Sequence, residues 1–169
     1  LRFESSVYDI SFSPCGSFLA CVTQNGLVAI CNASLDSNGV ISGNDNHKYQ
    51  SSFASKTSED SILASFSADC VMYKCDWNKE DETLIVATGE SKFAFVINEK
   101  GLLVSKFRHP DNCFGCQWKV GDRSLFVTGC YDGIVRIFDS RFVENPCLLQ
   151  LNGHVDRVFN VAFSPLINN

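Results

Sequence analysis

Residues Leu125 to Phe138 read Leu-Phe-Val-Thr-Gly-Cys-Tyr-Asp-Gly-Ile-Val-Arg-Ile-Phe, and they decide the fold. Leu125–Thr128 and Ile134–Phe138 are β-branched and aromatic runs, a composition that suits a pleated, half-buried strand. Between them stands Tyr131-Asp132-Gly133, and Asp-Gly accepts the positive φ that a tight hairpin turn requires. The stretch is therefore an antiparallel hairpin. Upstream, Cys113–Trp118 alternates apolar residues up to an aromatic; downstream, Leu148–Leu151 is a further apolar run. Helical periodicity appears nowhere in the chain, so the unit is four short strands in succession.

The quartet recurs. Val7–Phe12, Met72–Trp77, Cys113–Trp118 and Val158–Phe163 share the alternating pattern and end on an aromatic, and each predicts a first strand. Ser17–Val22, Leu84–Thr88 and Leu125–Thr128 predict second strands. Turns follow at Gln24-Asn25-Gly26, Ser91-Lys92 and Tyr131-Asp132-Gly133. Third strands are expected at Leu27–Cys31, Phe93–Ile97 and Ile134–Phe138, and fourth runs at Ile62–Phe66, Leu102–Phe107 and Leu148–Leu151. Four strands repeated about every 40 residues fit the blades of a β-propeller better than a sandwich. Blade 1 is expected over about 7–68, blade 2 over 69–108 and blade 3 over 109–153, with 154–169 opening a fourth. The first repeat is long because a Ser/Asn-rich stretch, 34–60, is inserted between its third and fourth strands. It is expected to be a solvated, mobile loop that includes His47, and Thr57 and Ser58 ahead of Glu59 and Asp60 give only weak kinase context.

At Thr128–Asp139, together with Gly153-His154, the chain resembles the WD-repeat family. From about Phe93 to Leu166 it resembles the family of WD repeat-containing protein 17. That likeness is carried by His109-Pro110, Phe114-Gly115-Cys116, Trp118, Thr128-Gly129-Cys130, Asp132, Val135-Arg136, Gly153-His154, Val158-Phe159 and Ser164-Pro165-Leu166. The resemblance implies an all-β propeller used as an interaction platform, with no catalytic activity. It also implies a buried hydrogen-bonded set: a His ahead of the first strand, a hydroxyl on the second, an Asp in the turn and a Trp on the third. In that set the Asp accepts from the His ring. Blade 3 supplies His109, Thr128 and Asp132, but Phe138 stands in place of the Trp, so Thr128 is left to find another acceptor or a water. Blade 2 keeps only Thr88, beside Ala68, Lys92 and Asn98. Blade 1 has Phe3, Cys21, Asn25 and Cys31 and keeps none. Blades 1 and 2 are accordingly expected to rest on apolar packing alone.

Composition narrows the function. Hydrophobic residues are 45% and charged residues 20% of the 169, an ordinary globular mix, and the formal net charge is −5. No segment is a basic patch, which argues against a nucleic-acid groove or an anionic membrane surface. The nine cysteines are an odd number at irregular spacing, and Leu1-Arg2-Phe3-Glu4 is not an apolar signal segment. Free thiols in a cytoplasmic, reducing compartment are expected. Cys113 and Cys116 have the spacing of a metal or redox pair, but on a regular strand they point to opposite faces, as do Cys70 and Cys75, five apart. His109, Thr128 and Asp132 do not make a hydrolase triad, because Thr128 lies mid-strand with no nucleophile elbow. Neither catalytic residues nor a cofactor is expected.

Partners are expected to be other proteins or peptides, met on the rim that carries the second-to-third strand turns and the segments before each first strand. The candidate contact residues there are Gln24, Lys92, Asn112, Tyr131, Asp156 and Arg157. Three blades cannot close a ring, since propellers have four to eight. Either further repeats belong to a longer parent chain, or two copies associate head to tail through their open blade edges.

Overall fold

The computed structural model describes residues 3–33, 62–142 and 144–164. The inserted stretch 34–60, with His47, Thr57 and Ser58, lies outside the described residues, as do Pro165 and Leu166.

Twelve strands and no helix occur among the described residues. They form three antiparallel quartets. The first is β1 (Val7–Phe12), β2 (Phe18–Thr23), β3 (Leu27–Asn32) and β4 (Ile62–Ser67), paired in that order. The second is β5 (Met72–Trp77), β6 (Leu84–Gly89), β7 (Phe93–Asn98) and β8 (Leu103–Arg108). The third is β9 (Cys113–Trp118), β10 (Leu125–Cys130), β11 (Val135–Asp139) and β12 (Cys147–Leu151). The arrangement is the arc of a β-propeller, with β1, β5 and β9 as inner strands.

Each quartet is a meander because tight turns join its strands. In the β2–β3 and β10–β11 turns Gly26 and Gly133 adopt φ of 85° and 79°. A Cβ on Gly26 would stand 2.5 Å from the Cys70 carbonyl oxygen, and one on Gly133 would stand 3.1 Å from the His154 carbonyl oxygen. These turns therefore press on the backbone that leads into the next inner strand, and glycine meets both the conformation and the close approach.

The quartets stack through two cores. Val22, Val28 and Ile30 of the first meet Met72, Trp77, Ile85, Phe95 and Ile97 of the second. On the other side of the second quartet, Val86, Ala94, Val96 and Phe107 meet Cys116, Trp118, Phe126 and Phe138 of the third. Both tryptophans are almost wholly buried, and side chains of that kind each contribute about 2–3 kcal/mol through burial. Residues 10, 75 and 116 are equivalent in the repeat, as are 12, 77 and 118. Cys75, Trp77, Cys116 and Trp118 are buried against the preceding quartet, whereas Ile10 and Phe12 are 52% and 53% exposed. That face of β1 has no apolar layer over it among the described residues.

The second and third quartets also touch edge to edge, where Gly89 of β6 pairs with Cys113 of β9. Gly89 is also pressed by its own quartet, where a Cβ would lie 2.0 Å from the Val71 carbonyl oxygen ahead of β5.

The expectation of a strand over Val158–Phe163 is corrected. The segment runs beside β9 and β10 without strand pairing. Val158 N–H donates to the Cys130 carbonyl at 3.0 Å, and Phe163 N–H donates to the Gln117 side chain. It occupies the place of a fourth inner strand, but no second strand lies alongside it among the described residues, and a ladder needs two strands.

Candidate functional site

Polar side chains on the inner strands position the axial end of the arc. The residue just before each terminal aromatic accepts a hydrogen bond from the backbone N–H of the aromatic one repeat later. Ser11 Oγ accepts from Trp77 N–H at 2.9 Å, Asp76 Oδ2 from Trp118 N–H at 2.8 Å, and Gln117 Oε1 from Phe163 N–H at 2.6 Å. Ser11 also donates to Asp76 Oδ1 at 3.3 Å, and Asp9 accepts from Cys75 N–H at 3.0 Å. Burial pushes the Asp76 carboxyl above the usual carboxylate range, against the opposing pull of the Trp118 N–H. The packing of blades 1 and 2 is therefore not purely apolar, contrary to the sequence expectation. The signal was present in Ser11, Asp76 and Gln117, one equivalent position in three repeats; at the fourth, Ala162 cannot accept.

These bonds hold the inner strands so that their second residues gather at the rim of the β2–β3, β6–β7 and β10–β11 turns. Tyr8, Tyr73 and Phe114 stand there in succession, at ring separations of 5.1 and 5.3 Å. Tyr131 joins Phe114 at 5.3 Å, and the Arg157 guanidinium lies 3.8 Å over the Tyr131 ring, a cation–π contact. Of the candidate rim residues, Gln24, Lys92, Asp156 and Arg157 are exposed, and Asn112 and Tyr131 are half-buried. The structure brings Tyr131, Asp156 and Arg157 together: Arg157 also lies 3.9 Å from the Asp156 carboxylate. Gln24 and Lys92 sit on the turns of the first two quartets. The Asn112 carbonyl accepts from Tyr131 N–H at 2.8 Å, fixing the approach to β9. Sequence reasoning missed Tyr8, Tyr73 and Phe114, whose shared position in the runs was the available sign.

The opposite rim carries bonds between quartets. Asn78 donates to the Arg123 carbonyl at 2.8 Å, Arg123 pairs with Asp81 at 2.9 Å, and Glu80 accepts from Gly121 N–H at 3.0 Å. These bonds tie the second quartet to the third.

His109, Thr128 and Asp132 lie in the third quartet but do not form one set. His109 Nδ1 is 2.9 Å from the Phe107 carbonyl, which can only accept, so Nδ1 carries the proton. Nε2 is then an acceptor, and the Thr128 hydroxyl donates to it at 2.8 Å. Burial lowers the His109 pKa to about 4, so the ring is neutral. Asp132 turns away from the imidazole and holds Arg136 in a two-pronged pair at 3.1 and 2.7 Å. Burial alone would raise the Asp132 carboxyl; the Arg136 guanidinium keeps it below the usual range. The expected Asp-to-His bond is thus replaced, because Arg136, four residues on across the hairpin, offers the carboxylate a full positive charge. Thr88, the solitary relic of the set in blade 2, has no nitrogen or oxygen partner among the described residues and faces the Cys116 thiol.

Cys113 and Cys116 are both buried, and burial pushes both thiols well above their ordinary range. Cys113 points to the Gly129 carbonyl and Cys116 to the Val86 carbonyl. Protonated thiols with separate carbonyl partners are neither metal ligands nor nucleophiles. Among the described residues no three His, Cys, Asp or Glu side chains converge to hold an ion.

Comparison with known proteins gives two findings. The family model "WD domain, G-beta repeat" matches residues 2–48 and 102–139, together half of the chain. Jouberin of Rattus norvegicus and jouberin of Mus musculus are each 31% identical to it over 98 residues, 55% of this chain. The matched region spans 9% of the length of each of these relatives.

Proposed function

The chain belongs to the WD-repeat family, and from that premise we propose that it is a protein-interaction scaffold whose contact surface is the turn rim. WD repeats in general serve as interaction platforms without catalytic chemistry. The observation that carries the choice of rim is the contrast between the two ends of the arc. One end ties its quartets together through Asn78, Glu80, Asp81 and Arg123, while the other sets the exposed Gln24, Lys92, Asp156 and Arg157 around a file of aromatic rings. Aromatic and arginine side chains are the residue types that dominate binding energy at interfaces. We infer the likeness of 93–166 to WD repeat-containing protein 17 from sequence motifs alone, and neither it nor the match to jouberin narrows the partner. Nine free cysteines fit a reducing, cytoplasmic setting.

The test is selection of peptides from a displayed random library against the intact chain. Peptides that bind should lose affinity to Tyr131→Ala and Arg157→Ala while still binding a Lys79→Ala variant of the opposite rim. Peptides that respond only to the opposite rim refute the assignment.

A second reading has its own support. The bare Ile10 and Phe12 face and the unladdered 158–163 segment are complementary parts of an inner-strand contact, so the arc is completed by further repeats or by a second copy. Sedimentation of the chain as a monomer at micromolar concentration excludes the second copy.

A further inference from the structure

The axial end of the turn rim encloses a cavity of about 510 Å³. That volume suits one or two side chains of a bound segment rather than a folded partner. Its wall is aromatic: Tyr8, Tyr73 and Phe114 run in file, and Phe159 closes the far side 5.4 Å from Phe114. Tyr8 is 47% and Phe159 61% exposed, so these ring surfaces are accessible to a ligand.

The charges on the wall do not balance. Asp9, Lys74 and Glu90 line the cavity. Asp9 and Lys74 pair with each other at 3.3 Å. Glu90 receives only a neutral donor, the Tyr73 hydroxyl at 2.7 Å, and among the described residues no lysine, arginine or histidine pairs with it. The hydrogen bond that the Tyr73 phenol donates to Glu90, with a smaller push from the carboxylate's charge, raises that phenol to about 12. One negative charge set among π faces is the complement of a single cation that also presents apolar surface. The chain itself shows the contact at the cavity's edge, where the Arg157 guanidinium sits 3.8 Å over the Tyr131 ring.

We propose that this cavity takes an arginine side chain from a basic peptide, stacked on Tyr73 and Phe114 with its guanidinium directed to Glu90. The proposal rests on the rim being the contact surface and adds the chemistry of what enters it. A guanidinium is planar and weakly hydrated, so it stacks on a ring and forks onto a carboxylate together, which an ammonium does less well. An acidic or phosphorylated segment meets the unpaired Glu90 as a like charge and finds Lys74 already held. An aliphatic side chain leaves Glu90 facing an apolar surface with its charge uncompensated.

The test uses the full chain and a fluorescein-labelled peptide, Gly-Gly-Ser-Arg-Ser-Gly-Gly, followed by fluorescence anisotropy. Control peptides carry lysine or the uncharged isostere citrulline in place of arginine. The arginine peptide should bind at least about fivefold tighter than the citrulline peptide, and tighter than the lysine peptide. Glu90→Gln and Tyr73→Leu should each weaken it about three- to thirtyfold. Glu90 is exposed, so Glu90→Gln should leave the thermal midpoint in place, which separates lost binding from lost folding. Tyr73→Phe keeps the ring and frees the carboxylate, and should bind as well as the native chain or better. Equal binding of the arginine and citrulline peptides, or indifference to Glu90→Gln, overturns the proposal; tighter binding of the lysine peptide overturns the choice of guanidinium. Library-selected peptides that respond to Tyr131→Ala and Arg157→Ala but not to Glu90→Gln leave the rim standing and remove the cavity. Indifference to all of these variants removes both.

Discussion

His109 makes stability depend on pH in a window where little else titrates. In the folded chain its pKa is lowered to about 4, chiefly by burial, with Arg136 acting in the same direction and the Phe107 carbonyl and Asp132 opposing. Unfolded, the ring returns to about 6.5. The unfolded state therefore binds the proton first as pH falls, and stability declines from about pH 6.5 down to about pH 4. For this single group the loss is about 2 kcal/mol between pH 7 and pH 5, and about 3 kcal/mol by pH 4. Asp81, Asp122, Asp132 and Asp139 are all held below the usual carboxylate range. Their contribution is present above the unfolded carboxylate value and is lost mainly below pH 5, so the upper window isolates the imidazole. Asp76, raised by burial, has the opposite sign, and Thr128 and Cys113 beside the ring do not ionise there. Urea unfolding at pH 7, 6 and 5 should show the decline in the native chain and its absence in His109→Gln, whose amide oxygen can still accept from Thr128. His47 and His154 are common to both proteins and cancel in the difference. A parallel loss of stability in the two proteins, or a His109 ring that titrates near 6.5 in the folded state by NMR, refutes a buried imidazole as the cause.

Three further outcomes follow from the packing. Gly89→Ala should remove more than about 3 kcal/mol, because its Cβ meets the Val71 carbonyl at 2.0 Å, whereas Gly16→Ala, with nothing within 4 Å but φ of 73°, should lose only about 1 kcal/mol; equal urea midpoints would contradict this. Phe138→Trp restores the residue usual in the family, yet should destabilise by about 1–3 kcal/mol. Phe138 is 2% exposed and is enclosed by Phe107, Phe126 and His109, and a raised thermal midpoint would show that the core has room. Gln117→Leu removes the acceptor for Phe163 N–H, so limited proteolysis should cut within 158–163 faster while the urea midpoint moves by less than about 1 kcal/mol; unchanged cleavage would mean that the segment is held by Phe159 and Val158 instead.

The repeat was legible because its causes are local. A strand alternates with period two, and a tight turn needs Gly or Asn at fixed places, so Asn25-Gly26 and Asp132-Gly133 marked their hairpins. The aromatic at the end of each inner strand marked the register. Val158–Phe163 has the same pattern and yet is no strand, since alternation records which face is apolar and not whether a neighbour supplies hydrogen bonds. Asp132 is the sharper case. The residue type and spacing allow a bond to His109, but the choice between His109 and Arg136 was settled by which stronger donor the twisted hairpin brings across.

The sequence alone determined the twelve strands of the three quartets, their order, the turns and the family, because each depends on residues a few positions apart. Tertiary structure alone decided the ties between quartets through Ser11, Asp76 and Gln117, the assembly of Tyr8, Tyr73, Phe114 and Phe159 into one cavity, and the unpaired charge of Glu90 within it. Those partners are contributed by different repeats, and only the stacking of blades sets which side chains meet and which charge is left without a mate.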